Sequence, residues 1–112
     1  MNTNILGAKG EEVAKQFLIA QKYQILQTNY KNVIGEIDII AKDIDTIVFV
    51  EVKARNTARF GLPREAITLQ KQYKIRQVAT AYLKHNKLMN AKVRFDCIDI
   101  LGDQITHIKN CF

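Results

Sequence analysis

The chain has 112 residues, the length of one domain spanning 1–112, and 47% of them are hydrophobic, enough for a packed core without disulfide or metal staples. Seventeen Lys and Arg against eleven Asp and Glu give a net charge of +6, which fits a polyanionic partner. No stretch approaches the length that spans a bilayer and the start MNTNILGAKGEE lacks the apolar run of an export leader, so a cytoplasmic protein with no membrane partner is expected.

From Gly7 to about Ala20, apolar residues recur at Val13, Ala14, Phe17 and Leu18, the spacing of one helix face. Tyr23 to Tyr30 suits a strand, and Lys31-Asn32-Val33 a turn. Two runs follow, GEIDIIA (Gly35 to Ala41) and TIVFVEVKAR (Thr46 to Arg55), joined by Lys42-Asp43-Ile44-Asp45 as a hairpin. The second run is almost wholly apolar up to Glu51, which predicts a central strand covered on both faces.

Pro63 is expected in the first turn of a long second helix, whose apolar positions Ile75, Val78, Ala79, Tyr82 and Leu83 keep helical spacing and which ends near Asn86. Lys92 to Leu101 reads as a strand, Gly102-Asp103 as a turn, and Gln104 to Ile108 as a last short strand. The order α-β-β-β-α-β-β gives one α/β domain with a mixed sheet flanked by two helices. Cys97 and Cys111 fit neither a disulfide framework nor a zinc spacing, and reduced thiols are expected.

Side chains alternate along a strand, so Glu51, Lys53 and Arg55 share one face at the far end of the buried strand. The hairpin brings Asp38 beside them, with Glu36 on Asp38's face. Two carboxylates held close at low dielectric repel, and a divalent cation removes that cost. Hard oxygen donors suit magnesium or manganese, and a lysine two residues after Glu51 can orient a water or steady charge developing on a phosphate.

Asp38 followed by Glu51-Val52-Lys53 resembles the signature of the restriction-endonuclease-like PD-(D/E)xK superfamily. The segments GAKGEEVAKQFL, NYKNVIGEIDIIAKD, IVFVEVKAR, REAITLQKQYKI and VRFDCIDI resemble the YraN-type family of uncharacterised endonuclease-like proteins over nearly the whole chain. That family is similar to archaeal Holliday junction resolvases, which place an acidic residue of the first helix beside the metal. The resemblance implies a restriction-endonuclease-like core, a metal bound by Asp38, Glu51 and Glu11, and assistance from Lys53. Helical geometry puts Glu11 on the row of Ala14 and Leu18, at the border of the buried face, with Glu12 outward. Lys71, four residues before Ile75, falls on the inward side of the second helix, and the family pattern has a lysine there too.

Between Lys53 and Arg76 lie Lys53, Arg55, Arg59, Arg64, Lys71, Lys74 and Arg76 against Glu65 alone, so this segment carries the whole net excess. Arg55, Arg59, Arg64, Lys71 and Lys74 are the candidate nucleic-acid contacts, with sequence-insensitive binding that falls steeply with salt. Structural roles are assigned to Glu36 and to an Arg94–Asp96 ion pair, helix initiation to Gly7 and Gly10, and ordinary surface positions to His85 and His107. The reading is a metal-dependent endonuclease acting on nucleic acid, DNA before RNA, at branched or junction structures. Its alternatives are a binding module without turnover and an interaction subunit of a DNA-processing complex. Cutting both strands of a symmetric junction calls for a two-fold homodimer, and no interface signature is present.

Overall fold

The computed structural model describes residues 3–55 and 67–112, with side chains from residue 9 onward in the first helix. Its elements are α1 (Thr3–Ala20), β1 (Gln24–Lys31), β2 (Glu36–Asp43), β3 (Thr46–Arg55), α2 (Leu69–His85), β4 (Lys92–Leu101) and β5 (Gln104–Ile108). One five-stranded sheet has the order β1-β2-β3-β4-β5, parallel between β3 and β4 and antiparallel elsewhere. It is the mixed sheet read from the sequence, with β3 in the centre.

The apolar run of β3 explains that position. Val48 and Val50 pack with Ala14 and Leu18 of α1, whereas Ile47 and Phe49 pack with Ile75, Val78 and Tyr82 of α2. A strand with apolar residues at odd and even positions needs cover on both faces, and the two helices supply it from opposite sides. No helix among the described residues is long and apolar enough to cross a membrane.

Several boundaries differ from the sequence reading. α1 starts at Thr3, so Gly7 and Gly10 lie inside the helix rather than ahead of it. Val13 is exposed, and α1 docks through Ala14 and Leu18. α2 starts at Leu69, where the Thr68 hydroxyl accepts the Lys71 N–H (3.1 Å) as an N-cap. Pro63, Arg59 and Arg64 lie outside the described residues.

The two cysteines are joined as a disulfide, against the expectation of free thiols. Their fourteen-residue separation conceals a β4–β5 hairpin that pairs Cys97 with Ile108 and brings the tail back, where Cys111 N–H donates to Phe95 O (2.7 Å). His107, expected on the surface, instead meets Asp96 through Nε2 at 2.7 Å. Asp96 is 0% exposed and also accepts from Arg94 and the Asn110 N–H. Burial alone would raise the Asp96 carboxyl, but His107, Arg94 and the amide together hold it below the usual range.

Candidate functional site

The β2–β3 ladder pairs Asp43 with Thr46 through to Ile39 with Val50. One residue beyond, the Asp38 carboxylate itself accepts the Val52 N–H (2.8 Å). A side chain thus takes over from a backbone acceptor where the two strands part, fixing Asp38 at the end of the sheet. From there it faces groups of both layers.

On the α1 side, Gly10 sets the distance. A Cβ on Gly10 would lie 2.6 Å from the Ala54 Cβ, so only glycine lets the helix approach β3 this closely. Glu11, the next residue, is half-buried against the strand ends, while Glu12 is exposed and accepts from Gln16. Carboxylate oxygens of Glu11, Glu36 and Asp38 all fall within 4.8 Å of one another. Asn29 stands in the left-handed region at φ 52°, and with its amide nitrogen facing the acids it donates to Glu11 Oε2 (2.8 Å) and Glu36 Oε1 (3.2 Å).

On the α2 side, Glu51 is buried and Lys71 Nζ lies 2.8 Å from its Oε1. Ile34, Glu36, Asp38, Glu51, Lys71 and Lys74 line one open cleft. Lys53 is exposed, close enough to Glu51 to favour its charged form.

Burial, and next the charge of Asp38, push the Glu51 carboxyl up to about 7, against the pull of Lys71 and Lys53. Burial, Asp38 and a hydrogen bond to Asp38 push Glu11 up to about 7 as well. Burial also raises Asp38, although the Val52 N–H and the Glu11 hydrogen bond oppose it. The acids therefore resist simultaneous ionisation and hold protons that a cation can displace. Three carboxylates of α1 and β2, with Glu51 lining the same cleft, are hard oxygen donors of the kind a divalent cation such as magnesium would take.

Glu11, Asp38, Glu51 and Lys71 converge, and Lys53 and Lys74 border them. Arg55 does not join the expected phosphate path: its side chain is 9% exposed and its Nε and Nη2 donate to Asp99 at 3.1 and 3.3 Å. The sequence reading gave that arginine to the nucleic acid because the partner carboxylate sits 44 residues further along the chain, on β4. Glu36, assigned a structural role, lies within the carboxylate group, as its two-residue spacing from Asp38 allows. Asn29 was missed, since a lone amide in a polar strand gives no signal.

The profile of the uncharacterised protein family UPF0102 matches residues 10–100. A UPF0102 protein of Clostridioides difficile is 46% identical over 114 residues, covering 100% of both chains. Similar proteins occur in Fusobacterium nucleatum, 43% identical over 98% of this chain and 92% of that one, and in Caldicellulosiruptor saccharolyticus, 43% identical with 100% of both covered. The matched span contains Glu11, Asp38, Glu51, Lys53 and Lys71.

Proposed function

The chain belongs to the uncharacterised protein family UPF0102, and we propose that it is a restriction-endonuclease-like, metal-dependent endonuclease that hydrolyses phosphodiester bonds in DNA. One observation carries the proposal: carboxylates of α1 and β2 meet within 4.8 Å at the end of the sheet, beside a buried Glu51 and two lysines.

A magnesium or manganese ion held there would supply positive charge to the phosphoryl group and the leaving oxygen. Asp38, fixed by the Val52 N–H, would hold the ion together with Glu11 and Glu36, and Glu51 lines the same cleft. Glu51 and Glu11, both raised to about 7 without metal, would give up their protons to the ion and so tie its binding to pH near neutrality. Lys53, at the exposed end of β3, orients that water or steadies the phosphate charge. Lys71 holds Glu51 in place, and Lys74 extends the cationic rim along which a phosphate backbone can lie.

A binding module without turnover has one observation in its favour, since Lys71 already neutralises Glu51 without a metal. Calorimetric titration with manganese separates the readings. The nuclease reading requires saturable binding that Asp38→Asn weakens at least tenfold, whereas the binding module shows none.

A further inference from the structure

The turn between β1 and β2 stands at the lip of the cleft and is built differently from an ordinary polar turn. Asn32 Oδ1 accepts from Ile34 N (2.8 Å) and Gly35 N (3.2 Å), and Asn32 N–H donates to Gly35 O (3.0 Å), so three bonds hold four residues. Gly35 rests against Val78 of α2, where a Cβ would come within 3.6 Å of Cγ2. At the tip, Val33 is 104% exposed, and Ile34 is 39% exposed and lines the cleft with Asp38 and Glu51.

Single exposed apolar residues are common and need no explanation. Two consecutive β-branched residues in a braced turn beside a polar cleft are another matter, because turns favour Gly, Asn, Asp and Ser. We propose that Val33 and Ile34 form an apolar wedge that enters an open base step of nucleic acid and so selects branched or unstacked DNA for the adjacent cleft. This inference rests on the nucleic-acid reading of the cleft and adds to it the residues that select the substrate.

Charge favours that occupant. Lys31 is exposed at the foot of the turn, and Lys71 and Lys74 line the same cleft as Ile34, so cations suited to phosphates accompany the wedge. The cleft floor between them is acidic and repels a phosphate backbone, which makes an apolar anchor on the bases valuable. Inserting a branched aliphatic side chain into intact duplex requires unstacking, and a junction, flap or mismatch has that step open already. The braced backbone means that the wedge loses little conformational entropy on insertion.

Ile44 supplies an internal control. It is 90% exposed in the hairpin at the other end of β2, away from the cleft.

The experiment uses the full chain without divalent ion and a four-way DNA with 2-aminopurine at the branch, against a linear duplex of the same sequence. Wild type should prefer the branch about tenfold, as burial of one or two aliphatic side chains implies, and raise the fluorescence of the unstacked base. The Val33→Ser, Ile34→Ser double variant should lose most of that preference and the fluorescence rise. Its linear-duplex affinity and salt slope should stay unchanged, since no charge is altered. Ile44→Asn should match wild type. Retention of the branch preference by the double variant, or an equal loss on linear duplex, overturns the wedge. Metal-dependent cleavage of linear DNA by the same double variant reports on the acidic cleft separately. A wedge that fails therefore leaves the nuclease reading standing, and a protein that unstacks the branch but never cuts supports the wedge alone.

Discussion

Lys71 Nζ lies 2.8 Å from Glu51 Oε1, joining the first turn of α2 to the end of the central strand. Lys71 is half-exposed, so the pair adds little to stability, less than about 1 kcal/mol. Its effect is electrostatic, because it holds at about 7 a Glu51 carboxyl that burial and Asp38 push upward. Lys71→Ala should cut the cleavage rate at pH 7 by about tenfold to a hundredfold, the range for removing one group aimed at developing charge. The deficit should shrink at pH 8.5, where Glu51 ionises without help. Cleavage rates of both proteins at the two pH values decide this, and a pH-independent deficit would assign Lys71 to substrate contact instead.

Gly10→Ala should destabilise the fold although alanine is the better helix former. The new Cβ meets the Ala54 Cβ at 2.6 Å, and overpacking of this kind costs about 1–3 kcal/mol against a propensity gain of about 1. Glu11 follows directly, so the displaced helix should also weaken metal binding. Denaturant unfolding of Gly10→Ala and of Gly10→Ala with Ala54→Gly tests the contact. The second change should restore stability, and a failure to do so would place the strain elsewhere.

The acids make stability depend on pH in a definite direction. Glu51 and Glu11 rise from 4.5 unfolded to about 7 folded, so the folded protein binds protons more tightly than the unfolded chain. Their contribution is complete below pH 4.5 and is lost as pH rises through about 7. Without metal, the melting temperature should fall between pH 6 and pH 8. Magnesium or manganese, competing with those protons, should stabilise the protein more at pH 8 than at pH 6. Thermal melts with and without metal at both values would show it, and an equal metal effect at the two pH values would contradict it.

Asp96 should matter to stability and not to cleavage. Asp96→Ala leaves Arg94 and His107 without the buried carboxylate they share, and loss of one partner from such a network costs about 3–5 kcal/mol. Urea unfolding should show the loss, while activity per folded molecule stays within twofold of wild type. A selective loss of activity would connect this network to the site.

The type and order of the elements were legible from period and length, although α1 begins earlier than its spacing gave and leaves Val13 exposed. The unbroken apolar run of β3 could only be a central strand, and the inward positions of α2, Ile75 to Leu83, are those the spacing picked out. Part of the acidic group was legible as well: the family resemblance pointed to Glu11 and its helical row agreed, while Glu51 follows from its place at the end of a buried strand. What stayed hidden depends on contacts distant in sequence. The Arg55–Asp99 pair, the His107–Asp96 contact and the Cys97–Cys111 bond all form because β4 and β5 fold back beside β3. Glu36 shares a strand face with Asp38, but alternation alone does not say whether it joins the acidic group; its closeness to Glu11 of α1 does.

The most direct measurement is cleavage of linear, flapped and four-way DNA in magnesium and in manganese, by wild type, Asp38→Asn and Lys53→Ala. The amide oxygen introduced by Asp38→Asn can still accept the Val52 N–H, and Lys53 is exposed, so both variants should fold as wild type does. The account predicts metal-dependent cleavage by wild type, strongest on the four-way substrate, abolished by Asp38→Asn and reduced at least a hundredfold by Lys53→Ala. Absence of cleavage on every substrate in both metals, or cleavage that survives Asp38→Asn undiminished, would contradict it.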